Sequence, residues 1–280
     1  MILLTLSNLF FTACSKKNKL TDAEISAVQD GTSAEGTSQE TQSLAEQAHT
    51  FGAAGMRMTS NCNLLSACVH IYSDSSHSFG TSDTLTIDFG STPCICNDGR
   101  YRQGKVLVAY TGRYHSANAA IDIHFVNYSV GISPTDMFAI DNASFKHILN
   151  NGLSTNNYFS WTINSTFIIH KSNNGGTISY TENKVRTQIA GDPLHFDWTD
   201  KFEISGTASG TAANGTSFTA ATAAGKNLIR DMSCRKHFTQ GELDITPSGK
   251  SIITIDFGSG KCDNSATITR NGVTRTITLR

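Results

Sequence analysis

Thr84-Leu-Thr-Ile-Asp-Phe-Gly-Ser91 is the stretch that decides the fold class. Leu85, Ile87 and Phe89 point one way, and Thr84, Thr86 and Asp88 point the other. A two-residue period of this kind marks a half-buried antiparallel strand. The pattern returns at Ile253, Ile255 and Phe257 against Thr254 and Asp256, and again at Val273, Ile277 and Leu279 against Thr274, Thr276 and Thr278. Turn signals divide the runs: Asn97-Asp98-Gly99, Asn151-Gly152, Asn174-Gly175-Gly176, Asn214-Gly215, Ser248-Gly249 and Asn271-Gly272. Asn-Gly favours a tight hairpin because both residues tolerate positive φ. The reading gives about eleven or twelve strands in meander order with no convincing helix among them. The expected fold class is all-β: an antiparallel meander forming a sandwich or partly closed barrel, preceded by a short helical or disordered tether.

The opening motif is also an internal repeat. Thr86-Ile-Asp-Phe-Gly-Ser91 recurs as Thr254-Ile-Asp-Phe-Gly-Ser259, and Cys94 and Cys262 follow at the same interval. The register then holds without a gap, so that Arg102 matches Arg270 and Gly104 matches Gly272. Two copies suggest pseudo-equivalent halves of one domain rather than a solenoid, which stacks three or more. The repeat ranks the disulfides. Cys68–Cys94 and Cys234–Cys262 are expected as equivalent bridges, and Cys62–Cys96 follows by elimination. Zinc is the rival use of these cysteines. Cys62 and Cys68 are too far apart for a usual knuckle, and Cys94 and Cys96 are too close.

The seventh cysteine, Cys14, closes the apolar run Ile2–Ala13. That run is too short to span a bilayer, which takes about 20 residues, and suits a signal-peptide core with small Ala13 at the cleavage position. Residues 1–13 are therefore expected to be a signal peptide and Cys14 a lipidation site. Phe11 stands where a lipobox usually has Leu, and no basic residue precedes the run, which suggests a start upstream of Met1. Ser15 after Cys14 favours the outer membrane, on either its periplasmic or its cell-surface face. Residues 14–58 are expected to be a lipidated, largely mobile tether. Between Thr21 and Thr50 it holds Asp22, Glu24, Asp30, Glu35, Glu40 and Glu46 and no Lys or Arg. Weak helical patches fall at Thr21–Gln29 and Ser38–His49, each opened by a Thr or Ser cap. Residues 59–280 then form a single β domain. An oxidising compartment suits the six remaining cysteines as disulfides.

With these motifs assembled, the chain resembles an uncharacterised family of lipoproteins from Bacteroidetes-type bacteria. The resembling segments are Thr86–Tyr114, Phe202–Phe218 and Asp244–Arg280, together with Ile189–Asp192 and Asp197-Trp198. The resemblance implies an envelope location and an all-β fold, and it carries over no catalytic residues.

No G-x-S-x-G elbow, H-E-x-x-H, phosphate loop or EF-hand loop occurs in the sequence. Asp122 and His124 share a strand face, which reads as a solvated face more readily than as a hydrolase or metal site. Asp192, His195, Asp197, Trp198 and Asp200 form the densest polar-aromatic cluster. Such a loop could bind sugar or work by paired carboxylates, but an irregular connection plugged by Trp198 accounts for it. Asp88 and Asp256, with Arg102 and Arg270, recur in both halves and are expected to form cross-strand ion pairs or turn-fixing hydrogen bonds. Tyr110, Tyr114, Phe125, Tyr128, Phe159 and Trp161 are expected in the core. The net charge of -1 and the 16% charged fraction show no basic patch for nucleic acid.

The sequence therefore predicts a cell-envelope lipoprotein with a non-enzymatic structural, adhesive or binding role, held to the membrane through Cys14. Its partner is expected to be protein, glycan or lipid, and no cofactor, metal or catalytic residue is assigned. Two alternatives are a carrier of a lipid or other apolar ligand, which requires a large internal cavity, and an envelope hydrolase, which requires converging titratable groups in an open cleft.

Overall fold

The computed structural model describes residues 20–53, 66–73, 82–112, 114–194, 198–234 and 237–279. Helix α1 (Asp22–Ala53) comes first. Among the described residues sixteen strands follow it: β1 (His70–Ser73), β2 (Ser82–Asp88), β3 (Cys94–Ile95), β4 (Tyr101–Thr111), β5 (Ala120–Ser133), β6 (Asp136–Ile140), β7 (Phe145–Leu153) and β8 (Phe159–His170) in the first half. The second half holds β9 (Thr177–Ala190), β10 (Lys201–Thr211), β11 (Ser217–Thr222), β12 (Leu228–Asp231), β13 (Gln240–Pro247), β14 (Ile253–Ser259), β15 (Ser265–Arg270) and β16 (Val273–Thr278). All belong to one antiparallel sheet, in the order β1-β2-β4-β5-β6-β8-β9-β10-β11-β13-β14-β15-β16. Each row pairs with the next along the chain, as the alternating pattern predicts. The short β3 pairs with β4. β6 and β7 share one row between β5 and β8, and β11 and β12 share another between β10 and β13. These divided rows, with short β1 and β3, raise the expected count of eleven or twelve to sixteen.

The sheet curls into a partly closed barrel around α1, with β1 and β16 as its two edges. This corrects the expectation of a largely mobile tether for residues 20–53, while no helix falls among the described residues of the strand domain. The two weak patches are one 32-residue helix, about 48 Å long at 1.5 Å per residue. Its residues meet β4, β7, β9, β13 and β15. Thr21 and Glu24 form a reciprocal capping box at its start: the Thr21 amide donates to Glu24 Oε2 (2.8 Å) and the Glu24 amide to Thr21 Oγ1 (3.3 Å). Gly31 lets the helix approach the wall, because a Cβ there would lie 3.0 Å from Ile245 and 3.2 Å from Phe218. The leader (1–13) and Cys14 lie outside the described residues, as does Cys62.

The repeat does its work at the turns. Asp88 Oδ1 accepts from the Gly90 amide (2.9 Å), and Asp256 Oδ1 accepts from the Gly258 amide (2.7 Å). The turn-fixing reading of the two aspartates therefore holds, while the equivalent arginines point into the barrel and pair elsewhere. Cys68–Cys94 and Cys234–Cys262 are bridged as the symmetry predicts. Cys96, expected opposite Cys62, is a buried free thiol. Asn271 and Gly272 both have positive φ (49° and 78°) and make the tight β15–β16 turn. Asn151-Gly152 is a correction. It lies inside β7 at a register shift between Asn150 and Gly152, a bulge rather than a hairpin.

Candidate functional site

The barrel interior and its outer wall differ in chemistry. The buried α1 carboxylates fall at 24, 30, 35, 40 and 46, so that successive ones are rotated by about 140° or 240° at about 100° per residue. Glu24, Glu35 and Glu46 share one side within about 40°, while Asp30 and Glu40 point elsewhere, so more than one wall must cover them, and each wall supplies a cation. Arg270 on β15 meets Glu24 (2.5 Å), and Lys171 after β8 meets Asp30 (2.7 Å). Lys184 on β9 meets Glu35 (3.0 Å), whose other partner is the Tyr180 hydroxyl. Arg100 (2.9 Å) and Arg102 close on Glu40, and Arg186 meets Glu46 (3.0 Å) while stacking 3.6 Å from the Phe202 ring. The pseudo-equivalent Arg102 and Arg270 thus grip the helix at separate points.

Ionisation follows this pairing. Burial opposes the charge of Asp98, but Arg102, donating Nη1 to it at 2.9 Å, outweighs burial and holds the carboxyl below its ordinary range. Burial likewise opposes the charge on Arg102, and Glu40 and Asp98 raise its pKa well above the usual value. Lys146 is pushed down to about 8, by burial first and against the pull of Glu182. Its ammonium donates to the Ser38 carbonyl (2.6 Å) and hydroxyl (2.7 Å). A Ser/Lys contact is the geometry of an activated nucleophile. Here Lys146 and Ser38 are both 0% exposed, and the Ser38 hydroxyl is engaged with Glu182, so no substrate reaches it. Nothing in the residue order marks this pair, since its members are 108 positions apart and on different elements.

At the far end of α1, His49 stacks 4.9 Å from Tyr114 and lies 5.4 Å from Tyr110, whose hydroxyl donates to the Ala45 carbonyl (3.1 Å). Burial, then the nearby His115, lowers the His49 pKa to about 4. The aromatics expected in the core are there: Tyr110, Tyr114, Phe125, Tyr128, Phe159 and Trp161 are all buried. The recesses beside the helix among the described residues include two of about 30 and 20 Å³, the size of a water.

The other sequence candidates scatter. Asp122 bonds His147 Nδ1 (2.7 Å) on the outer wall, and His124 is exposed. Asp200 is buried and accepts from Gln188 (3.3 Å), Asp192 Oδ1 accepts from the Leu194 amide (2.9 Å), and Trp198 packs on the core. His195 and Asp197 lie outside the described residues. Among the described residues no group of three or more His, Cys, Asp or Glu could hold a metal ion.

What sequence reasoning missed is a groove of 710 Å³ on the outer wall, running from Phe145 on β7 across β8, β9, β10 and β11 to β13 and Ile252. Strand pairing sets two straight rows across it. The first is Phe145, Thr166, Thr181, Ser209, Thr219, Thr246. The second is His147, Asn164, Asn183, Thr207, Ala221, Asp244. The alternation of each strand foretold polar outward residues, but not their alignment. No protein-family model, curated protein or solved structure matches the chain.

Proposed function

We propose that this protein is a cell-envelope lipoprotein, anchored through Cys14, that binds a partner with its outer wall rather than catalysing a reaction. The observation that carries the reading is the occupied interior: α1 and its ion pairs stand where a carrier would hold cargo or an enzyme its substrate. The likeness of the Thr86–Tyr114 and Asp244–Arg280 segments to Bacteroidetes-type lipoproteins supports the envelope location. Over β8–β10 the outward side chains include Thr162, Asn164, Thr166, Thr181, Asn183, Thr207 and Ser209, which suit water rather than the apolar band of a membrane barrel. α1 begins at the barrel mouth, where Thr21, Asp22 and Ala23 are exposed, and six residues lie between Cys14 and Thr21, a span of at most about 25 Å. The mouth holding Glu24 and Arg270 would face the bilayer, leaving the side wall open to a partner.

Growth with an alkyne fatty acid tests the anchor. The wild-type chain is expected to take the label and Cys14→Ala to lose it, and label retained in the variant overturns the assignment. Native mass spectrometry of the purified chain tests the interior. An apolar molecule held non-covalently in the barrel would overturn the binding-module reading in favour of a carrier. Sedimentation of the purified chain with isolated envelope fragments tests the binding itself, and no sedimentation overturns it.

A further inference from the structure

The groove across β7–β13 indicates what kind of partner the wall would take. Its first row presents a hydroxyl on each of five successive strands, from Thr166 to Thr246, with neighbours about 4.5–5.5 Å apart. The second row lies one side-chain repeat away, about 7 Å along the strands, and offers the amides of Asn164 and Asn183 and the Thr207 hydroxyl. Together they make a ladder of neutral donors and acceptors about 24 Å long, five inter-strand steps. Apolar side chains close both ends: Phe145 is 43% exposed and Ile252 is 52% exposed.

The polar groups are already held in place. Asn183 donates to Asn164 (2.7 Å), the Thr166 and Thr181 hydroxyls are 3.3 Å apart, and Thr254 donates to Asp244 (2.6 Å). Groups ordered before binding lose less entropy on binding. Among the described residues of the two rows, Asp244 is the single carboxylate, His147 stands at one end, and no Lys or Arg occurs. A polyanion finds no cation here, and an apolar chain would leave the hydroxyls unpaired. The matching ligand is neutral, extended and rich in hydroxyl groups, with an apolar face to lie against an exposed ring.

We propose that this groove binds a neutral glycan chain laid across the strands, one sugar stacked on Phe145 and the following sugars hydrogen-bonded to the Thr, Ser and Asn rows. The proposal rests on the binding-module reading and names its ligand class. The test is an array of neutral and acidic oligosaccharides, four to six sugars long, probed with the full chain in detergent and followed by calorimetry on the best binder. Neutral glycans are expected to bind. Phe145→Ala should weaken binding at least about tenfold, as should Ser209→Trp, which fills the groove, while Lys226→Ala in a separate recess leaves it unchanged. Thermal unfolding of each variant checks that the fold persists. A blank array, a preference for acidic glycans, or binding indifferent to both groove variants overturns the proposal. A blank array with envelope sedimentation still lost in Ser209→Trp would overturn the glycan alone, whereas a blank array without sedimentation would overturn the binding module as well.

Discussion

Along β9 the two faces of one strand differ in the wrong sense for an ordinary domain. Inward come Ile178, Tyr180, Glu182, Lys184, Arg186 and Gln188; outward come Ser179, Thr181, Asn183, Val185 and Thr187. The charges are inside and the neutral residues face water. Charged side chains are rarely fully buried unless paired. They are buried here because α1 carries the opposite charges into the barrel. The comparison teaches that a strand's polar and apolar residues are not enough to tell in from out. A Lys or Arg on the inner face is informative only once its partner is known.

Removing one partner inside should break this arrangement hardest. Arg102→Met leaves Asp98 buried without that guanidinium and takes one of its cations from Glu40. A loss of about 3–5 kcal/mol is expected in urea denaturation. On the outer wall, Lys105→Met removes the exposed pair with Asp88 (2.8 Å) and should leave the urea midpoint unchanged.

A double substitution sharpens the point by asking whether the charge itself stabilises. Arg186→Met alone should cost about 3 kcal/mol, because Glu46 stays buried. Adding Glu46→Met should recover most of that loss in the same assay. If the double variant is as unstable as the single, the pair contributes net stability.

Acid should act on the inside. His49 has a folded pKa of about 4, below its ordinary 6.5, so the unfolded chain binds more protons between these values. Stability is then full above about pH 6.5 and falls as the pH drops toward 4. Asp98 and Glu24, also lowered, extend the loss to more acid pH. For Glu24 burial works against this, and the Thr21 hydrogen bonds and Arg270 outweigh it. A melting-temperature profile checks the direction, and His49→Phe should flatten its upper part.

Thr21→Ala removes one side of the capping box and should cost about 1 kcal/mol. Thr181→Val on the outer wall should change stability by no more than about 0.5 kcal/mol. These last two separate a local helix contribution from a surface that stability does not need.

Much of the sheet was legible because a two-residue period reports a strand whatever surrounds it. Leu85, Ile87 and Phe89 are each buried as the alternation requires. The repeated Asp-Phe-Gly and cysteine spacing located two disulfides, since equivalent halves bring equivalent cysteines together. The helix was legible only as two weak patches. Its Gly31, Gly36 and many Ser and Thr residues lower intrinsic helix propensity, and its polar residues surround it on every side. A helix that is polar all round has no face to mark as buried. Asn151-Gly152 was misread for a related reason: positive φ serves a bulge as well as a hairpin, and only the paired strand tells which.

Residue order alone was enough for the antiparallel meander, the Asp-Phe-Gly turns, and the ranking of Cys68 with Cys94 and of Cys234 with Cys262. These follow from local periodicity or from a repeat whose bridged cysteines are 26 and 28 positions apart. Tertiary structure alone decided that the acidic segment lies inside the barrel and that the outer hydroxyls align into rows. Both depend on which strands face which. Arg102 meets Glu40 across 62 positions, and Thr166 leads to Thr246 through four strand pairings. Register and charge pairing over such separations are properties of the closed sheet, and no window of sequence contains them.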